Sequence, residues 1–402
     1  MFYEFPVINH IDEVLEAIEG REEFVVKHDV ENGLKIINYL VNFEDTFPAV
    51  TDRRTALLRE CRGITFCDKT GKVLARKYHK FFNLGEKEET SPHKVDFSNS
   101  HQFLEKLDGS MITPLFIDGH LRWATKMGLT EVAKPVDAFT SDKVEYHEFC
   151  KYWWDSGYTP IFEWCSRKQR IVIDYPEDRL VLTAIRHNIT GEYLSYNDLV
   201  EEANAYGIPV VKAGPVYREF AEDFIDEIKN VEDEEGRVVR FTSNGHMIKI
   251  KGSWYTLLHK TLEHLNLEKD VIRLIIEEKL DDAKPFLPPD LVKKVDEFAS
   301  LIFKSAFDLG TSIYWKAQAA HDNLNGSKKR FATEVVSLPE NKNNYKFLFA
   351  AWDHLDDGPE YMVKHVLDYI GQHTGSSGKV DQIRYIWGGK SWYEYRDNQP
   401  LE

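Results

Sequence analysis

The sequence predicts an α+β protein: a strand-rich, antiparallel part over residues 1–263, then an all-α part over residues 264–402. Three observations lead there. As far as Lys251, short apolar runs alternate with turn signals such as Asp68-Lys69-Thr70-Gly71-Lys72 and Asp118-Gly119, the mark of hairpins. From about Trp254 the apolar residues recur at helical spacing instead. A chain of 402 residues can bury two cores, and 42% hydrophobic residues with 24 Phe, 19 Tyr and 9 Trp exclude a disordered protein.

Taken in order, residues 10–20 read as a helix, because Ile11, Val14, Leu15 and Ile18 share a face and Gly20 stops it. Strands are expected over 24–28 and 34–43. A short mixed stretch, 53–61, leads into a strand at 62–66, and Val73 to Lys77 returns from the hairpin turn. Further strands are expected at 103–106, 112–117, 120–125, 160–165, 171–173, 180–186, 237–241 and 246–251. Helices are expected over 131–154, from Ser195 or Asn197 to Ala205, and around Phe220 to Val231. In the second part helices are expected over 262–280, 290–316 and 345–370, with Asp290 as N-cap and Leu291, Val295, Phe298, Ile302 and Ala306 on one stripe.

No apolar run reaches membrane-spanning length, and the first residues lack the basic-then-apolar order of a signal peptide. Cys61, Cys67, Cys150 and Cys165 form no CxxC pair and no zinc spacing, so reduced thiols and a cytoplasmic setting are expected. A net charge of −16 argues against a surface coated for nucleic acid but allows a local basic cleft. Basic clusters occur at Arg62, Lys69, Lys72, Arg76, Lys77 and Lys80, at Arg167-Lys168-Gln169-Arg170, and at Lys249-Ile250-Lys251. Each alone reads as a solvated face; their recurrence beside strands points to a polyanion site.

The segment Lys106-Leu107-Asp108-Gly109 puts a lysine two residues before a carboxylate, with a glycine where the backbone turns or nears a ligand. Such a lysine is a nucleophile once its amine is neutral often enough to attack. Lys249 and Lys251, two apart on a strand, point to one face, which suits a phosphate between them. Nearby cations also favour the neutral form of a lysine nucleophile.

Glu60-Cys61-Arg62-Gly63-Ile64, Lys80-Phe81-Phe82-Asn83-Leu84, Glu105-Lys106-Leu107-Asp108-Gly109-Ser110, Ile161-Phe162-Glu163, Glu235-Gly236 and Lys249-Ile250-Lys251-Gly252-Ser253-Trp254-Tyr255 follow one another in chain order. In that order they resemble the covalent nucleotidyltransferase superfamily and, more narrowly, the bacteriophage T4-type RNA ligase 1 family. Residues 190–198, TGEYLSYND, add to the likeness, which spans roughly residues 50–260. The resemblance implies an antiparallel-sheet nucleotidyltransferase domain followed by a helical domain associated with recognising broken tRNA. It also implies a phage-encoded, ATP-dependent RNA ligase that joins RNA 3′-hydroxyl and 5′-phosphate ends through a lysyl–AMP; a monomer is the default expectation.

By the same resemblance Lys106 is the nucleophile, Lys249 and Lys251 clamp the α-phosphate, and Glu163 accepts from a ribose hydroxyl. Arg62 and Lys80 serve the ribose and phosphates, Glu105 faces adenine, and Lys126 is the basic residue before Gly128. Asp108 and Gly109 lie against the nucleotide, Asp108 equally as a loop anchor. Glu235, with Glu234 as the shifted alternative, supports Mg²⁺ or Mn²⁺.

Two other readings within reach are a DNA ligase or capping guanylyltransferase, and a non-catalytic RNA-binding protein. The former usually continue into a small β-barrel, whereas helices follow here. Gly375-Ser376-Ser377-Gly378-Lys379-Val380 imitates a phosphate loop, but His373 stands where a glycine is required and Val380 where a Ser or Thr is. A flexible loop is expected there.

Overall fold

The computed structural model describes residues 3–40, 43, 45–217, 222–277, 279–280, 284 and 287–397. The chain divides into two compact units, Met1–Thr256 and Leu257–Glu402. The first holds three four-stranded sheets whose strands pair antiparallel. One sheet runs β1 (Phe24–Asp29), β2 (Leu34–Tyr39), β3 (Arg62–Cys67), β4 (Val73–Ala75). A second is ordered β10 (Ala213–Tyr217), β5 (His101–Glu105), β11 (Gly236–Phe241), β12 (Met247–Lys251). The third is ordered β7 (His120–Ala124), β6 (Ser110–Ile117), β8 (Tyr158–Cys165), β9 (Arg179–His187).

The helices of this unit cover sheet faces. α1 (Ile11–Ile18) starts with a capping box between His10 and Glu13 and buries Ile11, Val14, Ala17 and Ile18. α4 (Val144–Asp155) and α5 (Tyr196–Ala205) close an aromatic core with Trp123, Phe149, Trp153, Phe162 and Trp164. Ser195 caps α5, its hydroxyl accepting from Asp198 N–H.

Several expectations shift, each for a local reason. Arg53–Glu60 is a helix, α2, capped by Asp52; its stripe is obscured because Arg59 and Glu60 are themselves buried. The strand expected to Lys77 stops at Ala75, since the side chains of Arg76 and Lys77 turn inward to bond. Residues 131–154 break into α3 (Lys134–Thr140) and α4. Residues 171–173 are irregular, with the N–H groups of Val172 and Ile173 donating to Asp108 rather than to a strand. β10 went unread because Gly214 and Pro215 interrupt it. β2 ends at Tyr39; Val41 and Asn42, expected in that strand, and Phe220, expected to start a helix, lie outside the described residues, and α6 is Glu222–Lys229.

The described residues of the second unit are helical. The segment expected as one helix over 262–280 is split between α7 (Ser253–Leu265) and α8 (Glu268–Ile276). The long helix Pro289–Asn323 has Pro288, not Asp290, at its N-cap position; Asp290 sits in the first turn, where a carboxylate suits the helix dipole. Val295, Phe298, Ile302 and Ala306 are buried along it as expected, while Leu291 is half-buried. Residues 345–370 form two helices, Tyr345–Asp353 and Gly358–Gln372. The expected loop at 375–380 is instead the start of a helix, Ser377–Ile383, capped by the Ser376 side chain.

A buried ionic cluster joins the parts of the first unit. Glu60 Oε2 accepts from Arg76 Nε at 3.0 Å and Arg186 Nη1 at 2.8 Å, and Oε1 accepts from Arg186 Nη2 at 2.9 Å. Arg76 also donates to the carbonyls of Pro6 and Ile189, and Arg186 to those of Lys77 and Gly191. Burial opposes the Glu60 charge, but the two guanidiniums outweigh it and hold the carboxyl down at about 2. Glu60→Gln leaves two guanidiniums buried against one neutral amide. We expect it to cost about 3–5 kcal/mol, read as a lowered urea midpoint; an unchanged midpoint would mean that the cluster contributes no net stability.

Candidate active site

Lys106 stands where the chain crosses from the second sheet to the third. β5 pairs with β11, the Lys106 N–H donates to the Gly236 carbonyl at 3.1 Å, and β6 begins at Ser110. The turn between must pass close to β8. A Cβ on Gly109 would lie 2.4 Å from the Trp164 carbonyl oxygen and 3.1 Å from Glu163 Cγ. Glycine therefore lets the strand carrying Glu163 run beside the lysine segment.

Arg62, Glu105, Lys106, Gly109, Glu163 and Lys249 line one cavity of about 230 Å³, with Tyr78, Phe81 and Met247 as walls. Lys106 Nζ is 2.5 Å from Glu235 Oε1, and Lys251 Nζ is 3.3 Å from the same oxygen. Glu235 precedes β11, whose Gly236 pairs with Lys251 of β12. Lys249 lies with Nζ 4.8 Å from the Phe81 ring centre. Burial, then the charges of Arg62, Lys106 and Lys80, push the Lys249 amine down to about 6. Burial also pushes Glu163 up to about 7, with Glu235 adding to the rise and Lys106 opposing it. Arg62 Nη1 is buried with no hydrogen-bond partner, a donor suited to an anion.

The segment Lys80–Leu84 is laced onto β12. Lys249 N–H donates to the Phe82 carbonyl at 2.9 Å, and Leu84 N–H to the Lys249 carbonyl at 2.8 Å. Lys80 does not line the Lys106 cavity; it opens onto a neighbouring one of about 260 Å³. Its Nζ and that of Lys126 each sit 4.8 Å from the Tyr39 ring centre. Burial raises the Tyr39 hydroxyl, but Lys80, Arg62 and Lys126 more than offset it, so its pKa falls below the ordinary value. Gly63, at φ +84°, lets Arg62 approach Lys126, since a Cβ would lie 2.5 Å from the Lys126 carbonyl oxygen. Sequence spacing gave no hint of Tyr39, which lies far from the three cations in the chain and on an ordinary alternating strand.

Asp108 faces away from the cavity. Its Oδ2 accepts from Val172 and Ile173 N–H, both at 2.7 Å, and its Oδ1 from the Tyr255 hydroxyl at 2.6 Å. It is a loop anchor. Arg76 and Lys77, counted among the basic cluster, are buried: Lys77 Nζ donates to the Gly63 carbonyl at 2.6 Å, and burial pushes its amine down to about 7.

Among the described residues no group of three or more His, Cys, Asp or Glu side chains could hold a metal. Mg²⁺ commonly takes one or two carboxylates and completes its shell with phosphate oxygens and waters. Glu235, nearly buried and already beside two lysines, fits an ion that arrives with phosphates.

A family model described as RNA ligase matches residues 60–255. A putative RNA ligase of Thermovibrio ammonificans is 34% identical over 284 residues, covering 68% of this chain and 70% of the relative. RNA ligase 1 of bacteriophage TS2126 is 26% identical over 285 residues, 68% of this chain and 67% of the relative. A structure of Naegleria gruberi RNA ligase, a mutant with ATP and Mn, superposes with a TM-score of 0.35 at 15% identity over 41% of this chain. The match spans about half of that chain, 52%.

The raised Glu163 carboxyl has a stability consequence. Its folded pKa of about 7 exceeds the ordinary 4.5, so the fold favours the protonated form and loses stability as pH rises from about 4.5 through 7. Glu163→Gln should remove that loss and be more stable than the parent above pH 7, by about 1–3 kcal/mol. Denaturant unfolding from pH 5 to 8 measures it; parallel curves for the two proteins would refute the burial argument.

Proposed function

Since this chain belongs to the RNA ligase family, of the T4 RNA ligase 1 type, we propose that it uses ATP to join RNA 3′-hydroxyl and 5′-phosphate ends through a lysyl–AMP on Lys106. The observation that carries this reading is one cavity uniting Lys106, Lys249, Arg62 and Glu163, with Glu235 held between Lys106 and Lys251. In the first step Lys106 Nζ, having lost a proton, attacks the α-phosphorus of ATP. A P–N bond forms, the bond to the β-phosphate oxygen breaks, and pyrophosphate leaves. An oxygen of the RNA 5′-phosphate then displaces the lysine, and the RNA 3′-hydroxyl finally displaces AMP to close the phosphodiester.

Each step is displacement at phosphorus, so positioning and charge neutralisation account for most of the acceleration. Lys249 and Lys251 serve the α-phosphate, and the unpartnered Arg62 Nη1 is available to a phosphate or ribose oxygen. Lys80 and Lys126, gathered with Arg62 at Tyr39, serve the outer phosphates. Glu163 takes a ribose hydroxyl, and Glu105 the adenine. Glu235 would hold Mg²⁺ or Mn²⁺ once phosphates share the ligation, the ion supplying charge neutralisation.

In this reading residues 1–263 carry adenylyl transfer and 264–402 recognise RNA, with cleaved tRNA as the candidate substrate, in a monomer. Four free thiols support a cytoplasmic setting, and no helix of the described residues is long and apolar enough to cross a membrane. The helical character of the described residues after Leu257 supports an RNA ligase over a DNA ligase or capping enzyme.

Mass spectrometry after incubation with ATP and Mg²⁺ tests the first step. The parent should gain one AMP on Lys106 and Lys106→Ala none; no gain on a nucleotide-free parent would favour an RNA-binding protein without catalysis. A second measurement follows from Lys249, whose amine near 6 is mostly neutral at pH 7.5 in the free protein. A bound triphosphate favours its charged form, so binding a non-hydrolysable ATP analogue should take up close to one proton, and affinity should fall as pH rises above 6. Calorimetry in buffers of different ionisation enthalpy reads this, with Lys249→Met abolishing it. Equal heats in all buffers for the parent would overturn the assignment.

A further inference from the structure

One basic segment takes no part in the adenylylation machinery. Arg167, Lys168 and Arg170 are exposed on the loop that leaves β8 after Cys165, the first of them four residues beyond Glu163. The loop is fixed from below. Asp108, two residues past Lys106, takes the N–H groups of Val172 and Ile173. Gln169 Oε1 accepts from Trp164 Nε1 at 3.0 Å, and Asp178 Oδ1 accepts from Arg167 N–H at 2.8 Å. The cations are therefore presented by a main chain tied through Asp108 to the segment that carries the nucleophile.

Their charges are only partly answered. Arg170 pairs with Asp174 at 3.4 Å, whereas Arg167 and Lys168 pair with no carboxylate among the described residues. At the loop's far end Arg179, opposite Cys165, has Nε buried without a partner. In a chain of net charge −16 a polyanion is repelled at a distance and needs local cations to approach. The cations of the Lys106 cavity are committed to the nucleotide in the reading above.

We infer that the loop 166–173 binds the phosphate backbone of the RNA strand whose 5′-phosphate meets the lysyl–AMP, with Arg167 and Lys168 as its direct contacts. The inference rests on the ligase reading, and the loop adds what that reading lacks, a contact for the strand beyond its terminal phosphate. Such contacts carry no base information, so the loop sets affinity and salt dependence rather than sequence preference.

The test is Arg167→Ser with Lys168→Ser in the full chain. Self-adenylylation with ATP should match the parent. Single-turnover transfer of AMP from the pre-adenylylated enzyme to a 5′-phosphorylated single-stranded RNA should need several-fold more RNA for half-maximal rate. Fluorescence anisotropy with the same RNA between about 50 and 200 mM salt should give a log–log slope shallower by about 1.4, at about 0.7 per lost contact. Parent-like RNA dependence and slope in the double variant would overturn the inference while leaving the ligase reading intact. An equal loss of self-adenylylation and transfer would also overturn it, because the loop would then act through the fold of the Lys106 segment. A parent that never acquires AMP defeats the ligase reading itself.

Discussion

Glu60 and its two arginines are the constraint on which the first unit depends. Glu60 ends α2, Arg76 follows β4, and Arg186 lies on β9, so one carboxylate connects the first sheet to the third. The arginines spend their remaining donors on carbonyls of Pro6, Lys77, Ile189 and Gly191. Gly191 is required there, since a Cβ at its φ of +78° would lie 2.5 Å from the Arg76 guanidinium. Two residues on, the Tyr193 hydroxyl lies 2.9 Å from His79 Nδ1 and accepts the His79 N–H at 3.2 Å, fixing the segment that leads to Lys80. Two signatures far apart in the chain, ECRG and TGEY, thus meet in one buried cluster.

The cavity assembles by main-chain lacing between motifs. The nucleophile segment hangs from Gly236, the Lys80–Leu84 segment from β12, and β8 passes beside Gly109. The electrostatics are consequently cooperative. Lys249 is driven toward its neutral form by burial and by cations on three other segments, and Glu163 toward its protonated form by burial near Glu235. Such a site favours an occupant that brings negative charge to Lys249, because an anion stabilises its ammonium form, while the same charge keeps Glu163 protonated.

Much of this was legible in the sequence because it is local. Turn pairs and alternation gave the hairpins, and the switch after Trp254 gave the helical region. The order of the motifs gave the residues that line the cavity: Arg62, Glu105, Lys106, Gly109, Glu163 and Lys249. What failed depends on distant partners. Arg59 and Glu60 hid the stripe of α2 because their burial requires the ionic cluster and neighbouring carbonyls. Residues 171–173 alternate like a strand, yet their N–H groups find Asp108, for which no spacing rule exists. Asp108 reads equally as a ligand contact and as a loop anchor until its three acceptor bonds decide for the anchor. Tyr39 gathers three cations from three segments and has no motif of its own.

The grip of Asp108 on the loop after β8 uses backbone N–H groups of Val172 and Ile173 and no side chain between 167 and 170. Gln169 and Arg170 do hold the loop, through Trp164 and through Val172 and Asp174, so it is drift at Arg167 and Lys168 that is uncoupled from the geometry of the lysine segment. The protein can exchange arginine for neutral or acidic residues at this rim without retuning its chemistry. That separation offers a route by which related chains could diversify in what they hold, and a place where an engineer could graft new side chains with little risk to the catalytic frame.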